Sequence, residues 1–138
     1  MANISFLPKD LALPKVWALP STLLSVLRIV YGLLLVEHSI GHFFLSFPHA
    51  SFIREFPPGL LYFTGAVELV GGFLITIGLF TRTVAFVLSG YMAVAYFWYH
   101  FPMSFFPMVN QGEAAVMYCF FSLYLVAAGP GRWAVDRD

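Results

Sequence analysis

The sequence predicts an all-α fold, a transmembrane four-helix bundle running up-down-up-down. Three observations predict it. Of 138 residues, 60% are hydrophobic and 10% charged, against about 25% charged in an ordinary soluble domain. A soluble chain this short could not hide so much apolar surface. The nine prolines fall outside or at the edges of four apolar runs, each about 19 to 27 residues long, near the roughly 20 that a helix needs to cross a bilayer. No run shows the sustained period-two alternation of a membrane strand.

Residues 1–20, "MANISFLPKDLALPKVWALP", lack a basic start, an apolar stretch and a small-residue cleavage site, so they read as a retained interfacial segment and not as a signal peptide. Residues 21–138 read as one four-helix transmembrane domain with a short tail. The first helix opens at Pro20-Ser21 and is predicted over 21–47. The second opens at Pro57-Pro58 and covers 58–80. The third comes after "TRT" and covers 83–101. The fourth covers 110–128 and stops at Gly129-Pro130-Gly131, a helix-ending signal. Short links make neighbours antiparallel.

Lysines and arginines set the orientation. Lys9, Lys15, Arg28, Arg82, Arg132 and Arg137 fall on one side and Arg54 alone on the other. The positive-inside rule then places both termini in the cytoplasm of an inner or plasma membrane. The loops Pro48–Pro57 and Pro102–Val109 face outward. A formal net charge of zero, from 7 basic and 7 acidic residues, leaves no basic patch for nucleic acid. The lone Cys119 excludes an internal disulfide, covalent c-type haem and thiolate iron–sulfur clusters. It reads as a small buried apolar residue.

Ionisable groups inside apolar helices are expensive and therefore informative. The first run carries "VEHSIGH", with Glu37, His38 and His42. The second carries Glu68 in "TGAVELVGG". Glu37 lies ten residues from Phe47 and Glu68 ten from Pro58, so both sit about 15 Å from the outer ends at 1.5 Å per residue. A shallower layer holds His42, His100, Asn110 and Glu113. His38 and His42 share one stripe, and Glu37 points about 100° away. Glu68 shares a face with Thr64, Gly65 and Gly72, the small residues of close helix contact, and is expected to face the interior. Ser89, Ala93, Tyr96 and His100 form a stripe on the third helix, and Glu113, Met117 and Tyr124 one on the fourth.

These positions suggest roles. Glu37 and Glu68 are candidates for a proton relay, and His38, His42, Tyr96, His100, Asn110 and Glu113 for holding a ligand. Arg28, Arg82 and Asp136 read as structural, with Arg28 snorkelling to the cytoplasmic surface or pairing with Asp136. The competing reading of Glu68 is a protonated acid bonded to a neighbouring helix, which only fixes packing. A b-type haem would need His100 with His38 or His42, because the latter two project to the same side. A carboxylate-bridged metal pair needs Glu-x-x-His spacing, which is absent. A quinone needs one imidazole or acid, a proton route and aromatic walls, and is the least demanding ligand.

The chain resembles the DoxX family of small four-helix membrane proteins over about residues 22 to 136. The resemblance rests on "LLSVLRIVYGLLLVEHSIGH", on "TGAVELVGGFLITIGLFTRTVA" with Gly65, Glu68, Gly78 and Thr81-Arg82, and on "GPGRWAVD". It implies a membrane partner of an oxidoreductase system, since the family includes the large subunit of an archaeal thiosulfate:quinone oxidoreductase and a bacterial protein tied to thiol and superoxide defence. More distant relatives are membrane chaperones. The expected function is thus a membrane subunit of a quinone-linked electron-transfer complex, docked on a larger partner in the bilayer. The alternatives are a non-catalytic accessory or assembly subunit and, ranked below it, a small transporter, for which the broken helices and paired repeats are missing.

Overall fold

A computed structural model describes residues 13–44 and 57–136. The expectations on residues 1–12, on the 45–47 end of the first span, on the Pro48–Pro57 loop up to residue 56, and on Lys9, Arg54 and Arg137 lie outside the described residues. The fold is all-α, with no strand among the described residues. The elements are α1 (Leu13–Phe44), α2 (Pro58–Ile77), α3 (Thr81–Ala95) continued by a π-helical turn (Tyr96–His100), a short α4 (Pro107–Asn110) and α5 (Glu113–Ala128). Two apolar stretches, Pro20–Phe43 of 24 residues and Pro58–Ile77 of 20, are long enough to cross a membrane.

Several boundaries differ from those the sequence predicts. α1 does not open at Pro20 but runs through it from Leu13. Proline removes one N–H and crowds one carbonyl, a local defect that this 32-residue helix absorbs. α2 ends at Ile77, because Gly78 adopts φ 70° and Leu79 N–H reaches back to Leu74 O at 3.0 Å, a Schellman-type stop. α3 comes only a few residues later and begins at Thr81. The fourth predicted helix is broken near its start: Gln111 is left-handed at φ 58°, so Asn110 closes α4 and α5 begins at Glu113.

α1 packs along α2, and α3 along α5. The first pair crosses at two glycines. A Cβ on Gly72 would stand 2.8 Å from Gly32 O, and one on Gly32 would stand 2.7 Å from Gly72 O, so only glycine permits this approach. The core between the pairs holds Tyr31, Leu35, Ile75, Leu88, Met92 and Leu125. Tyr31 Oη meets Ser122 Oγ across it, linking α1 to α5. Large apolar side chains point outward instead: Phe73, Phe86, Phe97 and Phe120 are all exposed.

One end is closed by the carboxy-terminal segment, and Arg28 is its hub. Arg28 is fully buried. Its guanidinium donates to Pro130 O at 2.7 Å, to Thr76 O at 2.7 Å, and to Ile75 O and Trp133 O. It therefore neither snorkels nor forms an ion pair with Asp136, because four carbonyls replace the water it would otherwise seek. Asp136 instead accepts from Phe80 N–H at 2.8 Å and Thr81 N–H at 2.7 Å, where orphan amides open α3. Burial tends to raise the Asp136 carboxyl, but the bonds from Thr81 and Phe80 and the nearby Arg28 outweigh it and hold the group below the usual carboxylate range. Arg82 Nη1 caps the last turn of α5 through Val126 O at 2.6 Å and Ala127 O at 2.8 Å.

Candidate functional site

About ten residues along α1 from Arg28, some 15 Å at helical rise, the two helix pairs part around a cavity. Glu68 stands on its wall at 2% exposure. A carboxylate removed from water costs several kcal/mol unless it is paired. Here each oxygen has a partner. Tyr91 Oη donates to Oε1 at 2.8 Å. His38 Nδ1 lies 3.0 Å from Oε2, and His42 Nε2 lies 3.7 Å from the same oxygen.

Local sequence produces this arrangement. His38 and His42, one turn apart on α1, bring their rings to 5.0 Å between centroids. Gly65, one turn before Glu68 on α2, lets α1 come close, since a Cβ there would stand 3.1 Å from that of His42. Thr64, a further residue back, has its Oγ1 2.9 Å from His42 Nδ1 and donates its own hydrogen to Leu61 O at 3.0 Å. Tyr91 comes from α3, so three helices meet at one carboxylate.

The cavity measures about 720 Å³, within the roughly 300–1,000 Å³ of small-molecule sites. Glu68, His38, His42 and Thr64 form a polar corner, and Leu34, Met92, Trp98 and Tyr99 supply apolar and aromatic walls. The His38 side chain is 49% exposed while Glu68 is 3% exposed. Its imidazole thus joins a buried acid to the outside across a single 3.0 Å contact, the geometry of a proton transfer step.

The predicted site residues divide. Glu37, His38, His42, Glu68 and His100 all line the cavity. Glu37 is exposed there, and among the described residues no hydrogen bond joins it to Glu68. His100 has its Nδ1 2.9 Å from Asn110 O. Tyr96, Asn110 and Glu113 do not line the cavity. Tyr96 Oη donates to Phe105 O at 3.1 Å. Asn110 is 2% exposed and organises its own loop, donating to Ser104 O at 2.7 Å and accepting from Gly112 N–H at 2.8 Å. Glu113 is exposed, and Met117 and Tyr124 point outward at 68% and 55% exposure, so that stripe of α5 is its outer face. The inner face carries Ala115, Tyr118 and Ser122 instead.

The residues not foreseen are Tyr91, Trp98, Tyr99 and Tyr118. α3 ends in a π-helical turn, in which Phe101 N–H bonds Tyr96 O, five residues back, at 2.8 Å. Trp98 and Tyr99, each seven residues beyond Tyr91 and Met92, share their face of the helix and line the cavity with them; the wider turn rotates His100 toward that face, and Tyr96 does not line the cavity. Tyr91 leaves one sequence signal, a lone phenol among small and apolar neighbours in "SGYMAVA".

The sequence model of the DoxX family matches residues 23–101, a stretch holding the α1, α2 and α3 walls of the cavity, Arg28 and Arg82. A Haemophilus influenzae protein described as "Uncharacterized protein" is 40% identical over 119 residues, covering 83% of this chain and 88% of its own. No solved structure matches the chain.

Proposed function

This chain belongs to the DoxX family, and on that premise we propose that it is a multi-pass membrane subunit of a quinone-linked oxidoreductase. In this reading α1, α2, α3 with its π-helical turn, and α5 cross an inner or plasma membrane, with both termini cytoplasmic. α1 and α2 have the length and hydropathy for it. The outward phenylalanines suit acyl chains better than water. The electron-transferring centre resides on a partner protein, and this chain binds the quinone head group and moves its protons.

One observation carries the reading: a buried carboxylate, bonded by a phenol and an imidazole, on the wall of an aromatic-lined cavity of about 720 Å³. A quinone carbonyl accepts from such donors, and a quinol hydroxyl gives its proton to such a carboxylate. His38 passes that proton outward. Trp98 on the wall provides the test. A short-chain ubiquinone analogue is titrated into the purified protein, and quenching of its fluorescence is followed, with Trp98→Phe as the reference. Saturable quenching is expected, weakened about 10-fold or more in Glu68→Gln, the worth of one hydrogen bond to a charged group. Quenching that is unsaturable, or unchanged in Glu68→Gln, would count against a quinone.

A second reading, an accessory or assembly subunit, is favoured by one feature. Phe105, Phe106 and Met108 are 70%, 64% and 76% exposed around the start of α4, an apolar tip suited to a membrane partner. Under that reading, Phe105→Ser with Phe106→Ser disrupts the complex while Glu68→Gln has no effect on its activity.

A further inference from the structure

We propose that His38, His42 and Glu68 form a mononuclear site for a divalent first-row transition ion, bound through His38 Nδ1, His42 Nε2 and Glu68 Oε2, with its open positions facing the cavity. The site shares His38 and Glu68 with the proton path of the quinone reading, so an ion bound there replaces their direct contact, and the test below is arranged to separate the two.

Spacing speaks for it first. One donor atom from each residue lies within 4.8 Å of the others, and the two nitrogens stand 3.0 and 3.7 Å from Oε2. Ligands at about 2.1 Å from one ion are about 3.0 Å apart at right angles and about 3.4 Å apart at tetrahedral angles. The two contacts to Oε2 already fall near these values, and side-chain rotation closes the remaining separation, at most 4.8 Å.

The placement of protons speaks for it next. The Thr64 hydroxyl hydrogen is directed at Leu61 O, so the Thr64 oxygen accepts from His42 Nδ1–H. Neutral His42 then presents an Nε2 lone pair to a carboxylate oxygen. A lone pair facing a carboxylate oxygen in a buried corner calls for a proton or a metal ion between them, and a metal ion satisfies both together with His38 Nδ1.

The supporting bonds agree. A metal-binding imidazole characteristically donates its other N–H to a fixed acceptor, and a ligating carboxylate is itself bonded. Thr64 does the first for His42 and Tyr91 the second for Glu68. The donor set narrows the ion: two imidazoles and a carboxylate suit zinc or iron(II), and three protein ligands leave positions open. Magnesium and calcium prefer oxygen alone.

The test uses untagged protein in mild detergent, treated with a chelator and titrated with Co2+, whose visible d–d bands report coordination. One equivalent is expected to bind saturably and to be displaced by Zn2+. The bands should be lost in His42→Ala and Glu68→Gln, appear with about 10- to 100-fold weaker affinity in Tyr91→Phe and Thr64→Val, and be unchanged in Glu113→Gln. The two milder variants decide the matter should the first two not fold. No saturable bands at one equivalent, or bands insensitive to these substitutions, would overturn the site. Quinone quenching measured on the chelator-treated protein keeps the two readings separate.

Discussion

Replacing Arg28 by methionine tests the architecture most severely. Methionine keeps much of the volume and removes every donor. Four carbonyls, of Ile75, Thr76, Pro130 and Trp133, lose their partner in a site with no exposure. An unsatisfied buried acceptor costs about 1–3 kcal/mol. The four do not add, because one cation serves them all and its own desolvation cost of several kcal/mol is recovered. A net loss of about 3–5 kcal/mol is the scale for breaking a buried charged cluster. For a chain of this size that corresponds to a fall in Tm of roughly 10–15 °C. Thermal unfolding in detergent, followed by circular dichroism, measures it. Arg28→Lys, with a compact ammonium in place of a planar fork, should fall between the two. A Tm for Arg28→Met within about 2 °C of the wild type would refute the hub.

Other contacts give three further outcomes. Gly72→Val places side-chain atoms where a Cβ already meets Gly32 O at 2.8 Å and Leu35 Cβ at 2.9 Å, so α1 and α2 must separate; a loss of about 1–3 kcal/mol and weakened ligand binding are expected by thermal unfolding and titration. Because the Asp136 carboxyl is held low in the folded chain, its stabilisation is complete above the unfolded carboxylate value of about 3.9 and is lost as pH falls through the lower folded value. Asp136→Asn should cost about 1 kcal/mol at neutral pH and flatten the decline in stability below about pH 4, as read from Tm against pH. Arg82→Gln should lower stability by about 1 kcal/mol or less in thermal unfolding, since its bonds to Val126 and Ala127 are exposed.

Much of this was legible in the sequence because it is local. Pro57-Pro58 and Gly129-Pro130-Gly131 mark helix ends through backbone restrictions that act over a few residues. Thr64, Gly65 and Gly72 disclose the inward face of α2, and with it Glu68, because small residues repeat at helical spacing. The features that were not legible depend on distant partners or on a change of helical pitch. Whether Arg28 snorkels or is buried is decided by carbonyls 47 to 105 residues away. On α3 the cavity takes the face of Tyr91, Met92, Trp98 and Tyr99 in place of the neighbouring stripe of Ser89, Ala93 and Tyr96, a choice made by packing against other helices, and the π-helical turn then adds His100 to that face. Glu113, Met117 and Tyr124 do share one face of α5, but packing on α3 buries the face of Ala115 and Ser122 instead, and nothing local to α5 says which face turns inward.

The proposed function depends on the cavity around Glu68 being where the ligand sits. A photoreactive quinone analogue, crosslinked to the purified protein and mapped by peptide mass spectrometry, tests this directly. Label confined to Leu34–His42, Pro57–Glu68, Tyr91–His100 and Gln111–Tyr118, and competed away by unmodified quinone, is the predicted result. Label spread over the outward faces at Phe73, Phe86 and Phe120, with no competition, would contradict it.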